Sequence, residues 1–164
     1  MIWWAAIALP ILVGIVGLAK AQVVNDMPAP EVVDGDTFSI SDATYRLWGV
    51  DALEADQVCT DLVTGDDLPF GSLATAMLRG LLDLAPYNCE VVDTDRYGRE
   101  VARCFKGGGI EIAAILVHMG LAWDVPEYSR GRFAFVQQWA QRDGAGVWGV
   151  GVECVTPWEW RRDH

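Results

Sequence analysis

Glu31-Val-Val-Asp-Gly-Asp-Thr-Phe-Ser-Ile-Ser-Asp-Ala-Thr-Tyr-Arg-Leu-Trp-Gly-Val-Asp-Ala-Leu-Glu54 is the stretch on which the architecture turns. Across residues 31–40 polar and apolar positions alternate. Asp36, Phe38 and Ile40 fall on one face and Thr37 and Ser39 on the other, the period of a half-buried strand. Ser41-Asp42-Ala43 predicts a turn, and residues 44–50 a second strand. Asp36 thus shares a face with apolar residues, and a carboxylate there needs a cation or hydrogen-bond donors to stay ionised.

Working outward, residues 89–105 predict a hairpin through Asp95-Arg96-Tyr97-Gly98. Helical period runs over residues 71–84, with Ser72 placed to cap and Pro86 to stop the helix. Residues 112–119 and 132–143 predict two more helices, ended by Gly120 and Gly144. Short strands followed by helices indicate an α+β domain, a small barrel with helices packed around it. The 164 residues, 52% hydrophobic and 21% charged, can supply one core with an appendage but would spread thin over two domains. The expected organisation is a linker at 22–30 (Asn25, Asp26, Pro28, Pro30), a domain at 31–150, and a tail at 151–164. Trp148, Trp158 and Trp160 are expected to pack that tail onto the barrel.

Residues 2–19 form an unbroken apolar run that ends in Ala19-Lys20-Ala21. The A-x-A triplet suits a cleaved export signal at residues 1–21. The absent basic n-region and near-spanning length suit a retained transmembrane anchor, with Trp3 and Trp4 at the interface. Either reading puts the domain outside the cytoplasm, in the periplasm or cell envelope or secreted, and tethered to the inner membrane if the leader is kept. The cysteines agree. Cys59, Cys89, Cys104 and Cys154 are an even set with no C-x-x-C pair, so disulfides fit better than zinc. A hairpin register pairing Cys89 with Cys104 also sets Glu90 opposite Arg103 and Val92 opposite Val101. Cys59 and Cys154 would then form the second bridge; four buried free thiols are the alternative.

Twelve Lys+Arg against 23 Asp+Glu leave a formal charge of -11, which excludes a polybasic nucleic-acid binder whose affinity comes from neutralising many phosphates. Any phosphate contact must use a few placed arginines or a metal ion. Asp34, Asp36, Asp51, Glu54 and Arg46 lie on or just beyond the two predicted strands. Oxygen-only ligands suit a hard cation, Ca²⁺ or Mg²⁺, and two carboxylates with a main-chain carbonyl and water suit the loose geometry of calcium. The bland alternative is an Asp-Gly turn with a surface salt bridge from Arg46.

Five segments occur in the order and spacing of one family: Val33-Asp-Gly-Asp-Thr37, Arg46-Leu-x-Gly-Val-Asp51-x-x-Glu54, Asp95-Arg-Tyr-Gly-Arg99, Leu116-Val-x-x-Gly-Leu-Ala122 and Gly146-Val-Trp148. From residue 31 to about residue 148 the chain resembles the staphylococcal nuclease (thermonuclease) family. Pro157-Trp158-Glu-Trp160-Arg161 is similar to the tail of its exported bacterial members. The resemblance implies a five-stranded OB-fold barrel with three packed helices and a Ca²⁺-dependent phosphodiesterase site. It matches Asp36 and Asp51 to calcium carboxylates and Ala52 to a residue that ligates through its backbone carbonyl. Glu54 matches the general base, Arg46 and Arg99 the phosphate-clamping arginines, and Tyr97 and Tyr128 substrate-side tyrosines. Val125-Pro126 stand where a base-stacking aromatic is expected; Trp123 either substitutes for it or belongs to the core.

The implied activity is hydrolysis of DNA and RNA with little sequence preference, leaving 3'-phosphate ends, by a monomer. The competing reading is a non-catalytic, membrane-tethered envelope accessory or binding protein that reuses the barrel. The ionic set favours the enzyme; the leader, the acidity and the missing aromatic favour the accessory.

Overall fold

The computed structural model describes residues 22–23, 29–84 and 86–164. The apolar leader at 2–19 and most of the expected linker lie outside the described residues. The strands are β1 (Gln22–Val23), β2 (Glu31–Val32), β3 (Thr37–Ile40), β4 (Ala43–Leu47), β5 (Val50–Ala52), β6 (Cys59–Asp61), β7 (Asp67–Leu68), β8 (Tyr87–Thr94), β9 (Glu100–Lys106), β10 (Ile110–Glu111), β11 (Ala122–Asp124) and β12 (Val152–Glu153). The helices are α1 (Phe70–Asp83), α2 (Ile112–His118), α3 (Pro126–Ser129), α4 (Ala134–Asp143) and α5 (Pro157–Asp163). The fold is mixed α+β. Its main sheet runs β1-β8-β9-β4-β3-β2 with β10 on β9, antiparallel except where β4 meets β9. Two small sheets, β11-β5 and β12-β6-β7, sit beside it.

Residues 31–40 make two strands rather than the single one expected. Asp34 Oδ1 accepts hydrogen bonds from the backbone N–H of Asp36 at 2.9 Å and of Thr37 at 2.7 Å. That side chain closes a turn, and β2 folds back antiparallel on β3 with Val32 opposite Phe38. Residues 44–50 also divide, at Trp48-Gly49. Gly49 takes φ +76°, and a Cβ there would come within 2.9 Å of Ser129 Cβ, so only glycine turns the chain from β4 into β5.

Five α-helices occur among the described residues where hydrophobic period predicts three; α3 has only four residues, and α5, as long as α2, alternates tryptophan with charged residues and so shows no apolar stripe. Ser72 is not the cap of α1. The helix begins at Phe70 after Pro69, which leaves Ser72 inside the first turn with its hydroxyl donating to the Pro69 carbonyl at 3.0 Å. In the hairpin, Cys89 faces Cys104 and Glu90 faces Arg103 as expected. A bulge after Val91 then shifts the register, so Asp93 rather than Val92 faces Val101.

Disulfides join Cys89 to Cys104 and Cys59 to Cys154. One apolar cluster, including Phe38, Leu47, Ala102, Ile112, Leu116 and Phe133, fills the space between the main sheet and the helices. A second, with Leu53, Cys59, Ala74, Leu121, Trp123 and Val147, lies toward the carboxy-terminal segment. Ala52 belongs to the first cluster and Leu53 to the second, so the end of β5 is fixed between two cores. Trp123 is a core residue, meeting Trp148 and Trp158 edge-on at 5.6 and 6.3 Å between ring centres. Trp160 instead stacks on His164 at 3.8 Å.

Candidate active site

The turn that Asp34 closes delivers Asp36 to the start of β3, and register sets Thr37 opposite Arg46 on β4. Asp36 is thereby buried beside Arg46. Its Oδ1 accepts from the Thr37 hydroxyl at 2.9 Å, and its Oδ2 accepts from the Ala52 N–H at 3.0 Å and from Arg46 Nη2 at 3.2 Å. Asp51 sits in β5 between the core residues Val50 and Ala52, and Arg46 Nη2 also donates to its Oδ1. Two carboxylates, 3% and 4% exposed, therefore share one guanidinium nitrogen. The bland reading of Arg46 as a surface salt bridge fails on this burial.

Glu54 follows Leu53 into a tight loop. Its N–H meets Gln57 Oε1 at 3.3 Å and its carbonyl accepts from the Gln57 N–H at 2.9 Å. Helix α1 lies directly over this loop. A Cβ on Gly71 would fall 1.9 Å from the Glu54 carbonyl oxygen, so the approach requires glycine. Gln57, fully buried, turns its Nε2 to the Val155 carbonyl at 2.8 Å and so ties the Glu54 loop to the tail.

The tail carries a group absent from the expected site. Arg161 on α5 forms a two-pronged pair with Asp51, Nη1 to Oδ1 at 3.1 Å and Nη2 to Oδ2 at 2.7 Å, and its Nη1 reaches Glu54 Oε1 at 2.6 Å. Burial works against its charge, but the bonds to Asp51 and Glu54 outweigh that and hold the guanidinium more firmly protonated. A capping box starts α5: the Thr156 N–H and hydroxyl donate to Glu159 Oε2 at 3.1 and 2.6 Å. Sequence reading missed Arg161 because 107 residues separate it from Glu54. One signal was available: a Cys59–Cys154 bridge puts residues a few positions before Arg161 beside residues a few positions after Glu54.

Other expected site residues stand apart from this cluster. Arg99 Nε pairs with Asp95 Oδ2 at 2.7 Å in the β8–β9 turn. Pairing of β4 with β9 sets Tyr45 beside Glu100 and Arg46 beside Val101, so Arg99 lies just before the start of the strand that flanks Arg46. Tyr97 is exposed at the hairpin tip between Arg96 and Arg99, whose guanidinium carbons lie 4.9 and 5.5 Å from its ring centre. Tyr128 is exposed on α3.

Asp36, Asp51 and Glu54 bond two guanidiniums here, while Asp34 beside them bonds backbone N–H groups only. The imbalance shows at Asp34. Burial first, then the charges of Asp36 and Glu54, push its carboxyl up to about 7 against the two backbone bonds that favour ionisation. Among the described residues no three His, Cys, Asp or Glu side chains form a ready metal cage. The donors are nonetheless all oxygen and the local charge is negative, which fits a hard divalent cation held by Asp36 and Asp51 with carbonyl and water oxygens completing the shell.

Residues 44–150 match the family model "Staphylococcal nuclease homologue", whose domain is an OB-fold. The chain belongs to the staphylococcal nuclease family. It is 38% identical over 139 residues to the succinoglycan biosynthesis protein ExoI of Rhizobium meliloti (strain 1021), covering 80% of this chain and 72% of that one. It is 27% identical over 135 residues to an uncharacterized endonuclease of Escherichia coli O157:H7, covering 79% and 80%. It is 30% identical over 119 residues to the probable staphylococcal-like nuclease CAN1 of Oryza sativa subsp. japonica, covering 72% of this chain and 32% of that one.

Proposed function

We propose that this chain is a Ca²⁺-dependent endonuclease that hydrolyses DNA and RNA with little sequence preference, leaves 3'-phosphate ends, and works outside the cytoplasm. The observation that carries the reading is the buried pair Asp36 and Asp51 on one Arg46 nitrogen, with Glu54 three residues further along, in a chain of this family. Two disulfides favour an oxidising compartment.

Asp36, Asp51 and the Ala52 carbonyl would hold the cation. Bound calcium supplies positive charge beside the phosphoryl oxygens and makes a neighbouring water more acidic. Arg46 and Arg99 would grip the phosphate through planar forks that stay charged at any working pH, and their attraction strengthens as charge builds on the equatorial oxygens. Glu54 would accept the proton of the attacking water. Tyr97 and Tyr128, exposed on a hairpin tip and a short helix, would line the path of the polymer.

The test is digestion of plasmid DNA and of RNA by the full chain with calcium or with a chelator, beside Glu54→Ala and Arg46→Ala. Cleavage should need calcium and fall by roughly 100-fold or more in each variant. Equal cleavage by wild type and variants would mark a contaminant. No cleavage with calcium present would favour the accessory reading, to which the name of the Rhizobium relative, a succinoglycan biosynthesis protein, also lends itself.

A further inference from the structure

Every oxygen of Asp51 is engaged by a guanidinium: Oδ1 by Arg46 and Arg161, Oδ2 by Arg161. At least one guanidinium must leave before these oxygens can face a cation, because Arg161 covers both oxygens of Asp51 and Arg46 adds a second donor to Oδ1. The two arginines are not equally free to go. Arg46 projects from the middle of the main sheet, also bonds Asp36, and has a side chain 22% exposed. Arg161 projects from the last helix, has no bond to Asp36 among the described residues, and is 40% exposed. Its release would free Oδ2 of Asp51 and Oε1 of Glu54 in one movement, leaving Arg46 on Oδ1 of Asp51.

The base of α5 stays anchored whichever way the side chain points. Cys154 is bonded to Cys59, the Val155 carbonyl to Gln57, and Trp158 packs on Trp123. Arg161 is thus a cation on a fixed tether. A tethered competitor does not dilute away, and its occupancy lowers the apparent affinity of the site by the fraction of time the site is free.

We propose that Arg161 is a positioning residue of this site: a tethered guanidinium that competes with the divalent cation for Asp51 and holds Glu54 until the cation takes its place. The proposal rests on the calcium reading above and adds a residue to it.

Calorimetric titration of Ca²⁺ alone into the full chain, without nucleic acid, tests it. Arg161→Gln should bind calcium roughly tenfold more tightly than wild type, the size expected of a coupling between two ligands of one site. Arg161→Lys, which keeps the charge but not the two-pronged fork, should fall between. A purely structural role for Arg161 would leave the affinity unchanged or weaken it, and either result overturns the proposal. Absence of calcium binding in both wild type and Arg161→Gln overturns the calcium reading together with the proposal, whereas equal finite affinities overturn the proposal alone. A chain ending at Trp160, which keeps Cys154, the Thr156–Glu159 cap and Trp158, removes the same guanidinium if the point variant fails to fold; tighter calcium binding is again the supporting result.

Discussion

Asp124 ends β11 opposite Val50, with its backbone N–H donating to Gln137 Oε1 at 2.8 Å. Its side chain is buried, yet neither carboxylate oxygen meets a donor among the described residues. Desolvating a carboxylate without a partner costs more than desolvating an amide of the same shape. Asp124→Asn should therefore raise stability at neutral pH by about 1 kcal/mol, read as a higher midpoint in urea unfolding. A lower midpoint would mean that the charge itself is needed where it lies. The contrast with Asp36 is instructive. Both are acids on apolar faces, and the sequence marks Asp36 as anomalous by the alternation around it. What neither position reveals alone is that Asp36 meets a hydroxyl, a backbone N–H and an arginine, while Asp124 meets none.

Among the elements, the short strand β10 matters beyond its two residues. It presents Glu111 to Arg103 Nε at 2.8 Å and to Arg132 Nε at 2.7 Å, tying β9 to the segment before α4. Burial tends to raise the Glu111 carboxyl, but the hydrogen bonds from both arginines outweigh it and leave it below the usual glutamate value of 4.5. A carboxyl lowered in the folded state contributes stability that is complete above its unfolded value and is lost as pH falls through the folded one. Unfolding midpoints measured from pH 6 to pH 3 should drop more steeply below about pH 4.5 in wild type than in Glu111→Gln. At pH 7 that variant should be less stable by about 2 kcal/mol. Parallel acid limbs would refute the linkage. The hairpin and the helices α1, α2 and α4 are legible from period and turn chemistry, because those signals are local. The splits at Asp34-Gly35 and Trp48-Gly49 and the bulge after Val91 are less so, since each depends on what the neighbouring strand presents.

Over the whole molecule, the Cys59–Cys154 bridge spans 95 residues and fastens the tail to the loop that follows the site. In the chain-entropy model a loop of that length is worth about 4–5 kcal/mol, against about 3 for the 15-residue span of Cys89–Cys104. Replacing Cys59 and Cys154 together by serine should therefore lower stability more than replacing Cys89 and Cys104, as measured by urea unfolding of each pair. The reverse order would show that the hairpin bridge carries more than its span. By itself the sequence determined the α+β class, the family through five motifs in order, and the acids and arginine of the strand cluster, because period, turn residues and short-range spacing are properties of a few neighbouring positions; it left the cysteines open between two bridges and four thiols. Only the tertiary structure decided that Arg161 joins that cluster and that Gln57 ties it to Val155. Contacts between residues about a hundred positions apart depend on how helices and sheets pack in three dimensions, and no local pattern in a chain encodes that packing.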